Sequence, residues 1–173
     1  MKKISDRIFL GIISGILGGV PSKLINAFEY HVGLTDVKYS QLSSSLFLPA
    51  KKVKNSNAHI IGSIANNTGI AIVGVLITYL LSITGRDKLI VKGLGVTSTA
   101  WLFVYGLISR LGLPIKTKKT LTPLLSFIDH AALGIFTALI VSKLGDDSLF
   151  PAPHAPAAAE DKLPLIGVAK SPK

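Results

Sequence analysis

Lys23, Asn26, Asn66, Asn67, Ser126, Asp129 and His130 have the types and spacing that could do chemistry, and each lies within or at the edge of a long apolar run. A carboxyl, an ammonium and several amides at similar depth in a membrane can bind or relay a small polar solute or ion. The same groups can instead clasp helices together by hydrogen bonds. Asp129 in hydrocarbon costs on the order of 3 kcal/mol or more unless it is paired or protonated. Lys23 is the expected opposite charge, with Asn66 or Asn67 as hydrogen-bond partners. Asn26 lies one turn from Lys23, and Ser126 one turn from Asp129, on shared helix faces. Asp129 and His130 are adjacent, so their side chains point about 100° apart and one reacting atom would not easily meet both. His130 could relay protons, although a helix-helix hydrogen bond is the commoner use of such a histidine.

The elements that must position these residues are four apolar runs at 8–28, 60–83, 89–113 and 121–144. Each holds about 20 residues or more, enough to cross a hydrocarbon core of about 30 Å as a helix. Each is bounded by Lys or Arg clusters or by turn residues. If the chain threads back and forth, the end of the first run and the starts of the second and fourth face one side. The polar groups then form one layer roughly a third of the way into the membrane. The predicted fold is all-α: a polytopic bundle of four transmembrane helices over residues 1–150, with a short interfacial helix between spans one and two. Residues 151–173, rich in Pro and Ala, are expected to form a disordered tail.

Of 173 residues, 49% are hydrophobic and 16% charged, and the charges collect between the apolar runs. A soluble domain would scatter them through helical or strand periods. The net charge of +10 would suggest nucleic acid in a soluble protein. Here the basic residues lie in short loops, where they meet anionic lipid headgroups, and no basic stretch is interleaved with stacking aromatics. There is no cysteine, which excludes disulfides, thiolate nucleophiles and Cys-based metal sites. His31, His59 and His154 lack metal-ligand spacing, so no metal or other cofactor is expected. Gly93-Leu94-Gly95 follows no strand and lacks a third glycine, so it is no dinucleotide fingerprint. No nucleophile elbow or carboxylate cluster appears, and the chain reads as non-enzymatic.

Gly11, Gly15 and Gly19 share one face of the first span, a small-xxx-small pattern that lets another helix approach closely. Pro21 is expected to kink that helix. The first 20 residues imitate a signal peptide, but Pro21, Ser22 and Lys23 follow without a cleavage site, so retention as span one is expected. In the loop after it, Val37, Leu42, Leu46 and Phe47 recur at helical spacing until Pro49. Ser63, Asn66 and Asn67 match Ser126, Asp129 and His130 at the same offsets, a faint internal symmetry. Seven Lys and Arg fall on one side and eight on the other, so the positive-inside rule sets no orientation.

Four stretches carry a resemblance. They are the glycine-rich first span running into Pro21 and Lys23; Phe47-Leu48-Pro49 before a basic loop; Tyr79-Leu80-Leu81 through Lys92-Gly93; and Lys143-Leu144-Gly145-Asp146 with Ser148-Leu149-Phe150-Pro151. On them the chain resembles a group of small four-span bacterial inner-membrane proteins. The resemblance implies a multi-pass protein of a bacterial cytoplasmic membrane and carries no functional residues with it. The leading expectation is assembly, through helix-helix contacts, with a second copy or a membrane partner. The alternative is a small-solute or ion transporter or channel using the layer around Lys23 and Asp129.

Overall fold

The computed structural model describes residues 3–108 and 117–151. Helix α1 (Arg7–His31) starts where the Asp6 carboxylate accepts a hydrogen bond from the Phe9 N–H at 2.6 Å, capping a donor that the helix leaves unpaired. It runs through Pro21 without a break in the helix, and Gly33 turns the chain with φ +75°. The short α2 (Tyr39–Ser44) follows, started by the Gln41 side chain accepting from the Lys38 N–H at 3.1 Å. After a 3₁₀ turn at Ala50–Lys52 comes α3 (Ser56–Thr84). A tight turn over Gly85 and the left-handed Lys88 leads into α4 (Leu89–Trp101), where Lys92 donates to Thr84 O, Gly85 O and Asp87. Helix α5 (Thr122–Leu144) carries Pro123 in its first turn, where no hydrogen bond is lost.

The fold is an all-α bundle with four helices long and apolar enough to cross a membrane: Arg7–His31, Ser56–Thr84, Leu89–Ile108 and Thr122–Leu144. Among the described residues there is no strand. The third spanning element departs from its expected form. It is α-helical only to Trp101 and continues as a π-helix over Leu102–Ile108. The rest of the expected span, 109–113, and the expected tail from 152 onward lie outside the described residues, as does His154.

Glycine sets the helix spacing. A Cβ on Gly74 of α3 would meet Gly15 Cα of α1 at 2.7 Å and Gly11 O closer still; one on Gly18 would meet Thr137 N of α5 at 2.6 Å. Gly11, Gly15 and Gly19 thus face α3, with Gly19 also touching Leu133 of α5, and their small-residue face is occupied within the chain. Gly93 and Gly134 bring α4 and α5 together in the same way. Close backbone approach is how helices gain packing in lipid, where apolar side chains alone gain little by leaving the solvent. The outward surface is apolar: Leu24 is 65% exposed, Phe28 64% and Ile83 74%. Two buried hydroxyls are satisfied one turn back: Thr78 donates to Gly74 O and Thr97 to Gly93 O.

The two ends of the bundle differ. At the end holding the start of α1 and the finish of α5, Leu10, Ile77, Leu81, Ala138, Val141, Leu149 and Phe150 form an apolar core. There Ile4 N donates to Leu144 O and Asp146 N donates to Ile4 O, both at 2.9 Å. Asp147 pairs with both Lys3 and Arg86 at 2.8 Å. The opposite end, under α2, is polar.

Candidate functional site

The polar end is built from two facing stripes and one inserted side chain. On α1, Ser22, Asn26 and Glu29 are buried at helical spacing; on α5, Thr122, Ser126 and Asp129 are buried at the same spacing. The helices pack antiparallel, so the stripes meet as a seam. Helix α2 lies across α3 above it. A Cβ on Gly62 would meet Ser40 C at 2.6 Å and its carbonyl oxygen closer still. That backbone contact fixes α2 where Tyr39 reaches inward. The Asn26 side-chain carbonyl accepts from the Tyr39 N–H at 3.1 Å. The Tyr39 hydroxyl donates to Asp129 Oδ2 at 2.6 Å and lies 3.2 Å from Ser126 Oγ. Burial and the adjacent Asp129 carboxyl hold the Tyr39 phenol well above the ordinary tyrosine range, so it stays a donor.

This geometry corrects the expected pairing of Lys23 with Asp129. Lys23 donates to Asn67 Oδ1 on α3 instead. Lys23 follows Ser22 by one residue, so its side chain is turned about 100° from the α1–α5 seam, toward α3. The single expected polar layer is therefore two compartments. The first is a vestibule of about 260 Å³ between α1, α2 and α3, lined by Lys23, Asn26, Tyr39, His59, Asn66 and Asn67 among others. The second is the buried seam holding Asp129 and Ser126. Tyr39 stands at the boundary of both.

His130 belongs to neither compartment by charge. Its Nδ1 donates to the Ser126 carbonyl at 2.7 Å and its ring meets the Tyr39 ring edge-on, with centroids 6.1 Å apart. His130 and Asn66 also line a smaller, more apolar cavity of about 220 Å³ beneath α2.

Three residues absent from the sequence-derived site enter it here. Tyr39 is the hydrogen-bond donor to Asp129. Tyr105, on the π-helical stretch, hydrogen-bonds Ser126. Glu29 is 5% exposed, and its Oε2 has no hydrogen-bond partner. The spacing of Ser22, Asn26 and Glu29 was the available signal for Glu29. Tyr39 opens α2 but lies off the Val37, Leu42, Leu46 and Phe47 period, so nothing in the sequence marked it.

The rim is closed by a separate network. Asp36 accepts from Thr117 Oγ1 and from the Lys118 N–H at 2.8 Å, and Thr35 Oγ1 lies 3.3 Å from Thr122 Oγ1. Burial works against ionisation of Asp36, but these hydrogen bonds and the Lys119 charge outweigh it and hold the carboxyl below its usual range.

No group of three or more His, Cys, Asp or Glu that could hold a metal occurs among the described residues. The vestibule offers an ammonium, amides and hydroxyls to a small polar or anionic solute, and the seam behind it offers carboxyl and phenol oxygens. No protein family, curated protein or solved structure matches the chain.

Proposed function

We propose that this chain is a non-enzymatic multi-pass protein of a bacterial cytoplasmic membrane that admits a small polar solute or ion through the vestibule under α2. The observation that carries the reading is the Lys23 ammonium, held by Asn67 at the wall of a cavity rather than neutralised by a carboxylate. The bacterial membrane follows from the resemblance in the spans and loops, and the basic loops suit anionic headgroups.

The chain has no native cysteine, so single cysteines report access directly. Cysteines at Asn66 and Asn67 are expected to react with a membrane-impermeant thiol reagent from one side only. Cysteines at Ser126 and Asp129, behind Tyr39, are expected to react at least tenfold more slowly. Unreactive cysteines at Asn66 and Asn67 in a folded protein would overturn the reading.

Assembly with a second copy is supported by a different feature. An apolar groove of about 870 Å³ between α3 and α4 is lined by Ile72, Leu76, Val96 and Phe103 among others, and Gly95 in it has nothing within 4 Å of an added Cβ. A helix of another copy fits such a groove. Gly95→Cys is then expected to crosslink as a disulfide dimer in membranes, and Gly95→Leu to abolish dimers on native gels. A chain that stays monomeric in both assays would remove this reading.

A further inference from the structure

Two carboxyl groups lie buried at the α1–α5 seam, and among the described residues no cation pairs with either of them. Asp129 is fully buried; Oδ2 takes the Tyr39 hydrogen bond, and Oδ1 has no partner. Glu29, within electrostatic reach of it, also leaves Oε2 without a partner. The Tyr105 hydroxyl reaches Ser126 and lies near both carboxyls. The nearby ammonium, Lys23, is engaged by Asn67, and the ion pairs among the described residues all lie at the other end of the bundle. Unpartnered oxygens continue along the same two helices at Thr137 Oγ1 and Ser14 Oγ.

A carboxylate in hydrocarbon is costly, and two near each other repel as well. The seam therefore needs positive charge of its own. Its donors are carboxyl, phenol and hydroxyl oxygens, the hard set that suits a proton or an alkali ion and not a soft metal. We propose that Glu29 and Asp129, with Tyr39, Tyr105 and Ser126, bind one small monovalent cation, a proton or sodium. Tyr39 closes the site on the α2 side. The proposal rests on the vestibule reading for the route of access, since Tyr39 separates the two compartments.

Among the described residues the titratable and charged groups around the site are few, and Lys119 is engaged by the Gly33 carbonyl one turn beyond Glu29. Lys38 of the α2 N-cap sits over the Tyr30 ring at 4.6 Å, Tyr105 comes from the stretch after α4, His130 from α5, and His59 from α3 across the vestibule. The seam's own carboxyls are thus the groups positioned to carry the bound charge.

Two measurements on the purified full chain in lipid test this, and neither depends on transport. The first is the thermal midpoint in sodium against choline at equal ionic strength. The second is the infrared carbonyl band of protonated carboxyl groups at neutral pH. A sodium-dependent rise in midpoint, lost in Asp129→Asn, identifies the alkali ion. A protonated-carboxyl band without sodium dependence, removed by Asp129→Asn or Glu29→Gln, identifies the proton. If those variants fail to fold, Tyr39→Phe serves in their place. It should shift the band's frequency or weaken the sodium effect. No protonated carboxyl and no sodium effect in the unmodified chain would overturn the proposal. Vestibule cysteines that stay unlabelled would leave a positive result here intact, so the two readings fail separately.

Discussion

Gly74→Val should prevent the bundle from assembling. An added Cβ at Gly74 meets three backbone atoms of α1: Gly15 Cα at 2.7 Å, Gly15 N at 2.8 Å and Gly11 O closer still. Backbone cannot rotate out of the way as a side chain can, so α1 and α3 would have to separate along the contact. Overpacking a core commonly costs about 1–3 kcal/mol when side chains yield. Here they cannot, and the cost should exceed about 3 kcal/mol, a large share of a typical total stability of about 5–15 kcal/mol. Gly69→Val and Gly106→Val are the controls, because an added Cβ there meets nothing within 4 Å. Monodisperse yield in detergent and the thermal midpoint should collapse for Gly74→Val and hold for the controls. Equal behaviour of all three would show that glycine contact does not set the spacing of α1 and α3.

The second large effect is expected at Tyr39. Tyr39→Phe removes the hydroxyl that donates to Asp129 at 2.6 Å, and Oδ1 of that carboxyl already lacks a partner. Leaving a buried acceptor unsatisfied costs about 1–3 kcal/mol, more if it is charged. Phe retains the ring contact with His130, so the loss isolates the hydroxyl. In an Asp129→Leu background the same substitution should cost far less, because only the Ser126 contact at 3.2 Å remains to lose. The double-mutant cycle should thus give a coupling of at least about 1 kcal/mol. Additive effects would mean that Tyr39 and Asp129 are not partners in the membrane.

The four helices were legible because lipid imposes a plain rule: about 20 apolar residues in succession, with charge pushed to the ends. Depth was legible for the same reason, and Lys23, Asn66 and Asp129 do lie toward one end. Rotation about each helix axis was not. Which way Lys23 points depends on how α1 is turned against α3, and that is decided by backbone contacts at Gly11, Gly15 and Gly74. The glycine period marked a packing face on α1, but not which helix would meet it. Glu29 was readable in principle, since it continues the period of Ser22 and Asn26, but its place near a span end made it look like an ordinary boundary charge. Tyr39 could not be read at all. It reaches Asp129 from 90 residues away because Gly62 lets α2 settle on α3. The π-helical stretch that carries Tyr105 had no counterpart in the sequence reading either.

The two ends of the bundle are held differently, by ion pairs and apolar packing at one and by hydrogen bonds at the other, so the first can act as a pivot for the second. The Ile4 bridge, the Asp147 ion pairs and the apolar core fix the fulcrum where α1 begins and α5 ends. A spanning helix about 30 Å long that tilts by about 5° about that point moves its free end by roughly 3 Å. Such a stroke compares with the length of one hydrogen bond, enough to part Tyr39 from Asp129 without disturbing the pivot. A rotation of that size at the clamped face would suffice to make or break the contact that divides the two polar compartments.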